Sequence, residues 1–167
     1  DAKGKGHTIY NQYFDIKSSV YLKKNMKDVD IITFTNVFAH IEDFKDLIQS
    51  LKNLITKNTL IVIENHYFGE VIKKNQFDTF YHEHPRTYSL SSFNKISELL
   101  GIKILNYNFV KRYNGNLRVF LGSSTKKKDT LRFKKDLNKE KKMITDIKTF
   151  QKTIKRWLSV ESENKLQ

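Results

Sequence analysis

Apolar residues along the first two thirds of the chain alternate between short continuous runs and helical spacing. Residues 30–35 (DIITFT) and 59–64 (TLIVIE) are compact apolar runs of the kind buried in a parallel sheet. Between them Phe44, Leu47, Ile48, Leu51 and Leu54 recur three and four positions apart, which predicts a helix over residues 42–54 with one buried stripe. Upstream, residues 7–13 read as a short strand and residues 15–25 as a weak helix. Ser89 and Ser91 are candidate N-caps for a helix running to Leu100, and Gly101 sits where a left-handed C-cap is wanted. Residues 102–110 and 117–121 predict two further strands, and the Asn114-Gly115 turn signal between them makes the pair antiparallel. After Gly122, the positions Phe133, Leu137, Ile144, Ile147, Phe150, Ile154 and Leu158 mark one stripe of a long, charged amphipathic helix, which needs a partner surface to be stable. Strand and helix alternating in this way predict an α/β fold with a mainly parallel sheet, an antiparallel strand pair toward the C-terminal side and a long C-terminal helix.

Composition narrows this picture. The 167 residues are 38% hydrophobic and 13% aromatic, enough for one domain with a real core. No cysteine is present, so neither a disulfide framework nor a thiolate zinc site can be built, an absence compatible with the cytoplasm. No apolar run approaches the roughly 20 residues of a membrane-spanning helix, and residues 1–6 lack the apolar stretch of a signal peptide. The net charge of +13 is uneven: residues 126–167 carry 14 Lys/Arg against 6 Asp/Glu. Only five of the 31 basic residues are Arg, and the Lys-rich tail offers neither Arg forks nor stacked aromatics in a recognisable motif. It reads as a solvated helix face, with attraction for the phosphates of a nucleotide-linked substrate as the functional alternative and a nucleic-acid partner not expected.

A parallel sheet binds ligands beyond the carboxyl ends of its strands. After the first apolar run stand Asn36 and His40, and after the second Asn65, His66 and Tyr67, so both exits are polar and both contain histidine. The densest group of protic side chains follows at residues 80–86 (FYHEHPR). Pro85 biases His84 toward an extended conformation, which argues for a loop. A general-base site built on His84 or Glu83 with Tyr81 as an oxyanion donor, a metal site using His82, His84 and His66 or His40, and a purely structural polar loop are all compatible with these residue types. The His-Glu-x-x-His spacing of helical zinc sites is absent.

Residues 30–64 resemble the fourth-to-fifth strand unit of class I S-adenosylmethionine-dependent methyltransferases, in which a strand ends in Asn-Val, a His follows and a helix leads to a Leu-rich strand. FDTFYHEHPRTYSL at residues 77–90 is similar to the signature of the sugar C-methyltransferase subfamily, which modifies nucleotide-linked keto-deoxysugars, and NGNLRVFLG at 114–122 is similar to its following strand motif. This resemblance implies a partial Rossmann-like sheet and S-adenosylmethionine as cofactor. By position it implies His84 as base, with Tyr81, Glu83 and His40 completing the catalytic group. It places Asn36 and Phe14 beside the cofactor and Arg86 and Asn116 beside the sugar, and it implies no metal. A Tyr/Glu/His group suits carbon methylation, because a sugar carbon becomes nucleophilic only after losing a proton beside a carbonyl.

The resemblance also leads to an expectation about extent. Residues 1–125 correspond to a methyltransferase domain without its first strands and Gly-rich loop, and residues 126–167 to a basic helix leading toward a further domain. A partner chain carrying the remaining half, weak cofactor binding by this chain alone and a sheet edge left open are the corollaries. The rival reading is a non-catalytic or regulatory unit that keeps the fold without cofactor binding.

Overall fold

The computed structural model describes residues 3–26, 28–74, 76, 79–80, 82–123 and 130–164. Asp15 caps α1 (Ile16–Asn25), its side chain accepting from the Ser18 N–H at 2.7 Å while Ser18 Oγ accepts from the Asp15 N–H at 2.9 Å. The chain then enters β1 (Ile31–Thr35) and a single 3-10 turn over Phe38–His40. Asp43 caps α2 (Phe44–Leu54), which leads to β2 (Leu60–His66) and the short α3 (Phe68–Lys73). Ser89 is the N-cap of α4 (Leu90–Leu100), and Gly101 closes it at φ 70°, the left-handed cap the sequence asked for. Ser91 does not cap; its hydroxyl donates to Glu140 at 2.8 Å. The strands β3 (Lys103–Val110) and β4 (Asn116–Gly122) follow, and α5 (Thr130–Asn164) ends the described chain.

The strands form one sheet in the order β1-β2-β4-β3. β1 and β2 run parallel, with Ile31 opposite Leu60 and Thr35 opposite Glu64. β4 lies antiparallel between β2 and β3, so the antiparallel share exceeds the expectation of a mainly parallel sheet: one described pairing is parallel and two are antiparallel. The reason is the order, since the hairpin inserts its second strand beside β2 and turns its first outward. The connection of that hairpin is also longer than a two-residue turn. Tyr113 and Asn114 adopt left-handed backbone angles, φ 48° and 62°, within a 3-10 turn over Arg112–Asn114.

Residues 7–13 form no strand. Ile9, Tyr10 and Tyr13 are exposed, and Tyr10 stacks on Tyr21 of α1 with ring centroids 5.0 Å apart, so the segment lies on a helix where no ladder partner is offered.

The core sits on one face of the sheet. Ile61 and Ile63 of β2, with Leu117, Val119 and Leu121 of β4, meet Leu47, Ile48 and Leu51 of α2 and Phe93, Ile96 and Leu100 of α4. Each such fully buried aliphatic side chain contributes roughly 1.5–3 kcal/mol. Residues alternating to the other face, among them Ile31, Thr33, Val62 and Phe120, are exposed or half-exposed. β1 is an edge strand among the described residues, and no described helix is long and apolar enough to cross a membrane.

Helix α5 docks through its first third. Phe133 is buried against the ring of Tyr107, the Arg132 guanidinium lies 4.3 Å from the centroid of that ring, and the Tyr107 hydroxyl donates to Asp136 at 2.8 Å. Glu140, 1% exposed, then accepts the backbone N–H groups of Leu90 and Ser91 at 2.7 and 2.9 Å. A carboxylate there answers the free N–H groups and positive end of α4 together. Leu137 packs against the core, and Ile144 and Ile147 are half-buried, as the stripe predicts; Phe150, Ile154 and Leu158 lie outside the described side chains. Replacing Glu140 by Ala leaves two N–H groups at a buried helix start without their acceptor. The expected loss is about 2–4 kcal/mol in urea unfolding of the chain.

Candidate functional site

Because β1 and β2 are parallel and β4 is antiparallel to them, the last residues of the first two strands and the first residue of β4 share one edge. Asn36 leaves β1 at φ 53°, a left-handed conformation that Asn tolerates better than most residues, and its N–H donates to the Glu64 carbonyl at 2.8 Å. Glu64 is 2% exposed. Arg118, its register partner, grips one carboxylate oxygen through Nε at 2.7 Å and Nη2 at 2.6 Å, while Asn116 Nδ2 donates to the other at 3.0 Å. The same Nδ2 donates to Asn36 Oδ1 at 3.0 Å. Both partners are acceptors, which fixes the amide orientation of Asn116 and leaves its buried Oδ1 without a partner among the described residues. Burial alone would raise the Glu64 pKa, but the hydrogen bonds from Asn116 and Arg118 and the Arg118 charge outweigh it and hold the carboxyl below its usual 4.5.

Three histidines gather beside this network. The 3-10 turn buries Phe38 and Ala39 and leaves His40 at the surface, next to the end of β1. His66 closes β2. The His84 ring lies 4.5 Å from that of His40 and 6.0 Å from that of His66, and His66 in turn meets Tyr113 at 6.1 Å. His84 Nδ1 is 3.0 Å from the Thr79 carbonyl. A carbonyl only accepts, so Nδ1 carries the proton of this bond.

The loop bearing His84 is held from both sides. Arg86 donates through Nη1 to the Ile41 carbonyl at 2.6 Å and through Nη2 to that of Glu42 at 2.9 Å, with its guanidinium 5.5 Å from the Phe44 ring centroid. These bonds tie the loop to the segment following His40. Tyr88, buried against Phe38 and Phe93, forms a parallel bridge with Tyr67, and the Phe68 N–H donates to the Tyr88 carbonyl at 2.8 Å. Burial pushes the Tyr88 phenol up to about 12, so it is a neutral anchor at any physiological pH.

The other expected residues are distributed unevenly. Glu83 stands in a turn with its side chain 60% exposed and its carboxylate 3.8 Å from His82 Nε2, and His82 is itself 89% exposed. Among the described residues the rings of His40 and His66 stand around His84, while the Glu83 side chain is largely exposed beside His82. Tyr81 lies outside the described residues. Phe14 is half-buried with its ring edge-on to Phe34 at 6.1 Å, beside β1. Among the described residues no group of three His, Cys, Asp or Glu stands where it could hold a metal ion. Sequence reasoning missed Glu64 and Arg118 as partners. The available signal was a charge closing one apolar strand and a second charge inside another.

A family model described as a methyltransferase domain matches residues 5–107. The C-methyltransferase NovU of Streptomyces niveus is 32% identical over 83 residues, half of this chain and 20% of that protein. The chain therefore spans about a fifth of the curated relative it matches. Among solved structures, magnesium protoporphyrin IX methyltransferase from Synechocystis PCC 6803, with bound SAH, aligns over 61% of this chain and 48% of its own at 12% identity and a TM-score of 0.41.

Glu64 has a lowered pKa in the folded chain, so its stabilising contribution is present above the unfolded value and is lost as pH falls through the folded one. Replacing Arg118 by Leu strands the carboxylate and should cost about 3–5 kcal/mol at neutral pH. The deficit against the parent, read by urea unfolding followed by circular dichroism, should shrink as pH falls, because the stranded carboxyl is relieved by taking up a proton while the parent loses its ion pair.

Proposed function

We propose that this chain, which belongs to the methyltransferase domain family, carries the proton-abstracting part of a C-methyltransferase acting on a nucleotide-linked keto-deoxysugar with S-adenosylmethionine as methyl donor. The observation that supports it best is His84: its Nδ1 is bonded to the Thr79 carbonyl, which leaves Nε2 as the ring atom for proton transfer, and it stands with His40 and His66 where two parallel strands end. The partial identity to a C-methyltransferase points the same way.

S-adenosylmethionine, when bound, supplies an electrophilic methyl group. The residues at the β1 exit fit such a group. Asn36 uses its Oδ1 on Asn116 and so has its amide N–H donors to offer, and the Asn116 Oδ1 beside it, without a partner among the described residues, is a buried acceptor for a hydroxyl or ammonium donor. Phe14 would supply an apolar wall on the same side of β1.

The carbon next to a sugar carbonyl holds its proton tightly until a base takes it and a donor steadies the enolate oxygen. His84 Nε2 takes that proton. Tyr81, three positions before His84 in the sequence, is the donor to the enolate oxygen in this reading, and His40 bears on the sugar from the exit of β1. Glu83 offsets the imidazolium charge after rotating its exposed side chain inward, a movement that is fast for a surface residue. Arg86 has two of its nitrogens on Ile41 and Glu42, and its role toward the substrate would fall to its remaining N–H groups. The Lys-rich surface adds a general attraction for a diphosphate.

In the complete polypeptide, a nucleotide-linked keto-deoxysugar in heavy water should exchange the hydrogen beside its carbonyl. His84→Ala should slow both this exchange and methyl transfer by roughly 100- to 10,000-fold. Exchange at the parental rate in the variant, read by proton NMR of the sugar, would remove His84 as the base.

A further inference from the structure

Asn65, the penultimate residue of β2, is 3% exposed, yet its side-chain oxygen has no hydrogen-bond partner among the described residues. Native proteins satisfy nearly all buried amide oxygens, because a dry one forfeits its hydration with nothing in return. Asn65 lines a small cavity of about 10 Å³ whose wall also includes His66, Thr79, His84 and Thr87. On the same measure that is the volume of about one water molecule, and it excludes any organic group. Its wall is partly apolar, with Ala39 and the Tyr88 ring among its members, but Asn65, Thr79, His84 and Thr87 bring to it the amide, hydroxyl and imidazole groups that a buried water needs as partners.

We propose that this cavity is a single-water site in which a water donates one hydrogen bond to Asn65 Oδ1 and uses its remaining hydrogen and lone pairs on the loop wall. Two members of that wall, Thr79 and His84, are already joined by the bond from the His84 ring to the Thr79 carbonyl. A water bonded to Asn65 therefore links the rigid strand β2 to the segment that aims His84. The binding site stands on burial, cavity size and an unanswered acceptor; its bearing on the base rests on the methyl-transfer reading.

The test is made on the 167-residue chain without donor or sugar. Water-to-protein NMR should give cross-peaks, with the sign of a slowly exchanging water, at the Asn65 side-chain amide protons and the Thr79 amide. The near-isosteric Asn65→Leu should lose the Thr79 cross-peak and melt lower by about 2–6 °C, as expected for a chain of this size on losing a satisfied polar site. Were the amide oxygen dry, the same replacement would remove a buried orphan and raise the melting point. Absence of the cross-peaks in the parent, or a Leu variant that melts higher, overturns the proposal. Should the variant fail to fold, the parent spectrum decides alone. Neither readout needs turnover, so a negative result leaves the proposed reaction untouched, and an active His84→Ala variant leaves the water site untouched.

Discussion

A carboxylate buried at the top of a sheet stays ionised only if its neighbours replace the water it has lost, and Glu64 is held in that way by Arg118 and Asn116. The arrangement is expensive to break, since removing one partner leaves the other charge without solvent or counterion. Its consequence is geometric. Glu64 belongs to β2, Arg118 and Asn116 to β4, and Asn36 follows β1, so one connected set of hydrogen bonds pins the edge of three strands. Asn36 is held in its left-handed conformation by that set, and the positions of His40 and His66 follow from where β1 and β2 are made to stop.

The placement of the loop that carries His84 comes from anchors at its downstream end. Arg86 reaches across to two carbonyls beyond His40, and Tyr88 fixes the chain against Tyr67 and the aromatic core. The next element, α4, begins immediately afterward and has its first N–H groups answered from another helix by Glu140. The same carboxylate also holds the Tyr67 phenol, whose pKa is raised by burial and by this neighbouring charge. Strand exit, loop and helix start are thus coupled through buried polar contacts, while the apolar cluster beneath them supplies most of the stability.

What could be read from the sequence was what is local. The apolar runs gave β1 and β2, the three- and four-residue spacing gave α2, and Ser89 and Gly101 marked both ends of α4. Residues 7–13 misled because strand-like alternation needs a neighbour to pair with, and the stacking of Tyr10 on Tyr21 took its place. The six residues of α3 are too few to show a period. Within the site, the meeting of His40 and His84 was legible in kind, since both stood at expected strand exits or in the protic loop. The register of Glu64 with Arg118, 54 positions away, was not, because strand pairing is a tertiary fact. Glu140 was hidden for the opposite reason: in a Lys-rich stretch one acid looks like part of a solvated face. The side of the loop taken by Glu83 depends on a turn that simple alternation of side chains does not foresee.

The docking of α5 makes it a lever. Its 35 residues extend about 52 Å at the ordinary rise of an α-helix, and the bonds to the rest of the domain named above fall between Arg132 and Glu140. From Ile147, the last half-buried position of its stripe among the described side chains, to Asn164 the helix runs on for about 26 Å. A rotation of only 5° about that fulcrum displaces the tip by about 2 Å, so anything joined to the far end would move by more than a bond's length for an adjustment at α4 too slight to disturb its packing.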